Sequence, residues 1–125
     1  MKSRGNIVRL KQFQVNEKRR QIAQLDMMIA EFDRMAAELD AQIAIEEKKS
    51  GITDINHFAY PTFAKAARMR RDNLNNSRLD LVQQKGAADA SLAEAVGELE
   101  KAEQLESRDA RIRDAEQDLR RAVLG

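Results

Sequence analysis

The sequence has no cysteine, no tryptophan, one proline, five glycines and one histidine in 125 residues. Each scarcity removes something. Without cysteine there is neither a disulfide framework nor a thiolate zinc site, which fits a reducing compartment. A lone His57 with no companion cluster makes a poor metal or acid–base centre, and it reads as a solvated loop residue. Five aromatics, one Tyr and four Phe, are too few for a thick globular core. There is no Gly-rich phosphate loop and no nucleophile elbow. No stretch approaches the 18 or so apolar residues of a membrane span. The first thirteen residues, MKSRGNIVRLKQF, are basic, but they lack the apolar run and the small-residue cleavage site of a secretory signal. Neither Glu46-Glu47 nor the acids of 94–106 offers an acid–base pair, because no dry pocket is in prospect to shift a carboxylate.

What remains is charge at regular intervals. Charged residues make up 34% of the chain, and Ala, Glu, Leu, Lys, Arg, Gln and Asp dominate, the composition of long helices and coiled coils. Counting by sevens from Val8 meets Val15, Ile22, Ile29, Ala36 and Ile43, and a second stripe holds Leu25, Phe32 and Leu39. This is an a/d heptad seam. Met28 and Met35 widen it, Lys11 and Lys18 impoverish its early part, and Ile7, Leu10 and Phe13 lie off it.

The spacing predicts a first helix over about 3–49. Lys48 and Lys49 sit in its last turn, where cations suit the dipole, and Gly51 suits the position just beyond it. A loop follows over about 50–61, in which Thr53 or Asp54 suits a local cap. Pro61 favours the start of a second helix over about 62–123. The second seam reads Leu74, Leu81, Ala88, Leu92, Ala95, Leu99, Ala102. It is then expected to slip by one residue to Leu105, Ile112, Ala115, Leu119 and Ala122. Alanines at 88, 95 and 102 allow close helix approach. Gly86, Gly97 and the run Asn73–Asn76 make this helix the softer of the two.

Net charge is only +1, yet it is arranged in blocks. Residues 1–20 hold seven bases and one acid, 21–60 three and eight, 61–85 six and two, and 86–107 one and six. Folding the chain back near residue 56 sets every block beside its opposite, whereas a parallel dimer stacks like on like. The expected fold is therefore all-α, two long helices in one antiparallel coiled-coil hairpin. An antiparallel dimer of extended chains would match the blocks equally well, but the loop composition favours the closed hairpin. At about 1.5 Å per residue the helices span roughly 65–70 Å and roughly 90 Å, so the last 15 or so residues are expected to overhang. Ile112, Leu119 and Val123 there form either a frayed tail or an apolar stripe awaiting a partner.

The basic runs Lys18-Arg19-Arg20 and Arg68–Arg71 each face an acidic block and carry no interleaved aromatics, so charge matching accounts for them better than nucleic acid does. Three of the five aromatics, Phe58, Tyr60 and Phe63, fall within six residues of the loop. They either cap the open end of the seam or form a docking surface, and both hold if one ring is buried and another exposed.

HFAYPTFAKAARMRRDNL at 57–74 and MKSRGNIVRLKQFQVNEKRRQIAQ at 1–24 resemble the FliJ family of flagellar type III export proteins, in its alphaproteobacterial form, with generic heptad sequence between. The resemblance implies a non-enzymatic stalk or adaptor with no cofactor. Such a protein is cytoplasmic and peripheral to the inner membrane at the flagellar base. It links the export ATPase FliI to the export gate protein FlhA, and some members escort export chaperones. An injectisome-type secretion stalk and a self-associating structural coiled coil are the alternatives. The family's aromatic-x-x-Phe step, tied to gate binding, reads here Tyr60-Pro61-Thr62-Phe63. Phe58 lies beside it and Ala67 one turn on. Pro61 inside the step departs from the pattern, as does Ala67 where other members carry a bulkier residue. By the stalk analogy the end holding the chain termini meets the ATPase, which nominates Ile7, Leu10, Lys11, Phe13, Ile112 and Leu119.

Overall fold

The computed structural model describes residues 2–125, with side chains from Arg4 onward, so the first residues of the 1–24 stretch lie outside what is described. It contains two α-helices, α1 (Lys2–Ser50) and α2 (Thr62–Leu124), packed against each other as an antiparallel helical hairpin. There are no strands among the described residues, and no helix is long and apolar enough to cross a membrane. The contacts divide into two compact units. The turn unit is Ala23–Gly86. The terminal unit joins the residues up to Ile22 to Ala87–Gly125.

Within the turn unit, α1 contributes an apolar stripe in which Ala36, Leu39 and Ile43 are buried and Leu25, Ile29 and Phe32 half-buried. The facing stripe of α2 is different in kind. Its inward positions alternate 3-4-3-4 through Ala64, Ala67, Arg71, Leu74, Arg78, Leu81 and Lys85, so every second one beyond Ala67 is a cation. Leu39, Ile43 and Ala67 form the buried cluster, with Leu74 against it. A cation at an inward heptad position lays its hydrocarbon stem along the seam and carries its charge outward. Each one then meets an aspartate of α1: Arg71 with Asp40 at 3.0 Å, Arg78 with Asp33, and Lys85 with Asp26 at 2.6 Å. A step of seven along α2 is matched by a step of seven back along α1. This ladder is the antiparallel register written in charge.

The terminal unit repeats the scheme with the helices exchanged. Here α2 supplies the apolar stripe (Leu92, Ala95, Leu99, Ala102), and α1 places Arg4, Lys11 and Lys18 at seven-residue intervals between Val8, Val15 and Ile22. Val15, 1% exposed, packs with Ala95 and Leu99, and Val8, Leu92 and Val96 close around them. Lys11 reaches Glu98 at 2.9 Å, and Arg4 pairs with Asp109. The charge blocks thus meet their opposites inside each unit.

The expected slip of the seam at Leu105 does not occur. Beyond Ala102 the inward positions continue in unbroken heptad spacing as Glu106 and Asp109, while Leu105 stays 38% exposed and Ile112 and Leu119 are exposed. A continuous α-helix turns about 100° per residue, so an apolar pattern displaced by one residue rotates off the interface and does not drag the interface with it. The helix runs unbroken through Gly86 and Gly97, and a Cβ at either would meet nothing within 4 Å. From Arg111 to the last residue every position is exposed.

The ladder generates a reciprocal test. Asp33→Arg sets like charges together and lowers stability, and Arg78→Asp does the same. The double variant Asp33→Arg/Arg78→Asp restores the pair and is more stable than either single change. Because both side chains are partly exposed, the coupling in a double-mutant cycle from urea denaturation is about 0.5 kcal/mol.

Candidate interaction surfaces

The turn is closed by short-range bonds. Gly51 ends α1 with φ +71, the left-handed conformation that glycine adopts without steric cost, and donates its N–H to the Glu47 carbonyl at 2.9 Å. Ser50 Oγ accepts the Ile52 N–H at 3.1 Å. Asp54 Oδ1 accepts the Asn56 N–H at 2.9 Å, an Asx turn. His57 serves the same purpose. Its Nδ1 accepts the Ala59 N–H at 3.0 Å, and its ring stacks on Phe58 with centroids 4.8 Å apart. The Pro61 carbonyl accepts the Lys65 N–H at 3.0 Å and opens α2.

These bonds sort the aromatics by fate. Tyr60 is 7% exposed, and its hydroxyl accepts from Arg68 Nε at 2.8 Å while the guanidinium lies 5.8 Å from the ring centroid. The same guanidinium reaches both Glu47 carboxylate oxygens at 3.3 Å, so one Arg ties the end of α1, the turn and the start of α2. The Tyr60 hydroxyl, followed by Glu47, raises the Arg68 pKa above its ordinary value. Phe58 and Phe63 take no part in this closure. They are 97% and 55% exposed. Ala67, nominated as a partner contact one turn on, is 4% exposed and belongs to the buried cluster with Leu39 and Ile43. Its methyl group fills the seam, so a partner cannot reach it while the hairpin is closed, and a bulkier residue there would have to push α1 away. Tyr60 is likewise committed to the fold. Of the four residues nominated at the turn, Phe58 and Phe63 form the accessible pair.

In the terminal unit, Ile7, Leu10 and Phe13 on α1 and Ile112 and Leu119 on α2 are all exposed. Lys11 is half-buried, held on the seam by its bond to Glu98. Arg4, Ile7, Lys11, Glu98, Lys101, Ala102 and Leu105 line an open cleft of about 230 Å³ between the two helices. It brings Ile7 beside Leu105, a residue that sequence reasoning assigned to the seam. The signal for its true place is the departure of Leu105 from the 3-4-3-4 count that starts at Ala64. No group of three or more His, Asp or Glu side chains is arranged to hold a metal among the described residues. Comparison with protein-family models, curated proteins and solved structures returned no match.

Lys11 holds the Glu98 carboxyl below its ordinary value of 4.5, first by the hydrogen bond and then by charge attraction. A carboxyl whose pKa is lowered by folding stabilises the fold above its unfolded pKa and loses that contribution as pH falls through the lowered one. Glu98→Gln is therefore expected to reduce Tm at pH 7, with the difference from the parent chain shrinking as the pH is lowered below 4.5, read by thermal circular dichroism across a pH series.

Proposed function

We propose that this chain is a non-enzymatic stalk or adaptor of a flagellar-type protein export apparatus, linking an export ATPase of the FliI kind to an export gate protein of the FlhA kind. On this reading it works in the cytoplasm, attached peripherally to the inner membrane through its partners, and serves export chaperones as a further class of client. The reading rests on the resemblance of 57–74 and 1–24 to the FliJ family. The single structural observation that favours it is the state of Phe63. The residue matching the family's gate-binding Phe stands on the first turn of α2, more than half exposed, and Phe58 in the preceding turn is almost wholly exposed. Neither ring is needed to close the turn, because the Tyr60–Arg68–Glu47 contacts do that. Exposed aromatic side chains on a rigid support are favourable anchors for a protein partner, since they contribute large apolar area at little rotamer cost.

The terminal unit supports the second half of the reading. Its exposed Ile7, Leu10 and Phe13 on α1, with Ile112 and Leu119 on α2, give an ATPase an apolar surface distinct in composition from the turn. The injectisome stalk shares this mechanism and differs in its partners.

Phe63→Ala decides between docking and capping. It is expected to weaken binding to the soluble portion of the gate protein by tenfold or more, on the scale of about 2 kcal/mol for a hot-spot aromatic. Helicity at 222 nm and Tm should stay near those of the parent chain. A drop in helicity with gate binding otherwise unchanged would reduce Phe63 to a cap and remove this reading's structural support. A self-associating coiled coil is tested by sedimentation, where a monomer of 14.2 kDa at all concentrations rules it out.

A further inference from the structure

Beyond Ala102 the apolar positions of α2 leave the seam. Leu105, Ile112 and Leu119 recur at seven-residue intervals on one line of the helix, and all three are exposed. Along one side of that line the positions 101, 104, 108, 111 and 115, spaced 3-4-3-4, hold Lys101, Gln104, Arg108, Arg111 and Ala115, three cations and no anion before Asp118 takes the next place. None of the three cations forms a salt bridge among the described residues, although Lys101 attracts Glu98 and helps to lower its pKa, whereas the neighbouring Arg4, Lys11 and Arg113 pair with Asp109, Glu98 and Glu106. Lys101, Gln104, Leu105, Arg108 and Arg111 together line a groove on this face, and it shares Lys101 and Leu105 with the cleft that holds Ile7. The charge of Arg108 and Arg111 is therefore not used in a salt bridge of the fold.

We propose that this strip is a docking site for an acidic amphipathic helix of another protein, which would lie along α2 as a third strand of the coiled coil. A partner helix with apolar residues every seven places matches the spacing of Leu105, Ile112 and Leu119, about 10.5 Å per step, and an extended peptide does not. Its carboxylates would meet Lys101, Arg108 and Arg111, and one large apolar side chain would enter the cleft between Ile7 and Leu105. That cleft is smaller than the roughly 300–1,000 Å³ of sites for small ligands, which favours a side chain over a metabolite. The opposite flank mixes Asp109 and Glu116 with Arg113 and Arg120, so it adds no net attraction for an anionic lipid surface, whereas a helix lying to one side meets the cationic flank alone. The inference rests on the reading that the terminal unit docks a partner, and it states the chemistry of that partner.

The probe is a fluorescent peptide of about three heptads with leucines at seven-residue spacing and glutamates beside them. One control peptide carries lysines for the glutamates, and another carries serines for the leucines. Anisotropy with the full chain is expected to show the acidic leucine peptide binding at least tenfold tighter than either control. Lys101→Glu/Arg108→Glu/Arg111→Glu and Leu105→Ser/Ile112→Ser should each cost tenfold or more. Arg9→Glu/Arg19→Glu/Arg70→Glu, which changes net charge equally at exposed positions elsewhere, should keep affinity within twofold. No binding, equal binding of all three peptides, or equal loss in the two charge-reversal variants overturns the proposal. So does binding of the strip to phosphatidylserine vesicles in place of the peptide, or a dimer in sedimentation that Ile112→Ser returns to monomer. The probe contains no ATPase sequence, so a negative result removes this inference alone and leaves the Phe63 measurement to decide the export reading.

Discussion

A cationic side chain at an inward heptad position has to leave the seam to find a carboxylate, and the direction in which it leaves selects the residue it meets on the neighbouring helix. In the turn unit this happens three times at seven-residue intervals, at Arg71, Arg78 and Lys85, against Asp40, Asp33 and Asp26. Each pair is partly exposed and contributes little by itself. Their joint effect is on specificity. Sliding α2 by a heptad would leave a cation at one end and an aspartate at the other without partners, and reversing it would set the blocks like against like. Apolar packing alone would discriminate poorly here, because the facing residues are small alanines and evenly spaced leucines that look alike from one heptad to the next.

The same device appears in the terminal unit with the helices exchanged, where α1 brings the cations and α2 the apolar stripe. Over most of its length each unit therefore pairs one apolar face with one half-charged face, and only beyond Ala102 does the apolar face of α2 give way to Glu106 and Asp109. This economy explains why, among the described residues, the one large side chain fully removed from solvent is Val15. The chain replaces a thick core with a narrow seam whose rim is made of charge, and the 34% charged composition is the direct consequence.

Much of this was legible in the sequence. The α1 heptads, the alternating charge blocks and Gly51 followed eleven residues later by Thr62 specify two antiparallel helices with a short turn between them. The cationic half of the α2 seam was not legible, since counting apolar residues passes over an Arg whose stem is inside and whose charge is outside. The same habit misplaced Leu105. An apolar residue was assumed to pull the interface toward itself, yet in a stiff helix the interface keeps its period and Glu106 and Asp109 take the inward places because Arg113 and Arg4 are there to receive them. At the turn, the cluster of aromatics was visible, but its division was not. Which ring is buried depends on Arg68 reaching across to Glu47, a contact between residues 21 apart.

That division carries the functional argument furthest. A turn needs one apolar plug over the end of its seam, and Tyr60 is that plug, held by its hydroxyl as well as its ring. Once it is in place, Phe58 and Phe63 gain nothing from the fold. Phe58 stacks on the His57 ring beside it and is otherwise almost wholly exposed, and Phe63 leaves more than half its surface to water. Scattered exposed apolar residues are ordinary on any surface, but two phenylalanines of a total of four, flanking a plugged turn, are concentrated where closure no longer requires them. Leu105, Ile112 and Leu119 pose the same question in the terminal unit, where the seam is completed by charged residues and the leucines are left outside it. In both units the fold is satisfied without these side chains. On the proposed reading their apolar surface serves contacts with other proteins, and the cationic flank beside Leu105 would give one of those contacts a sign.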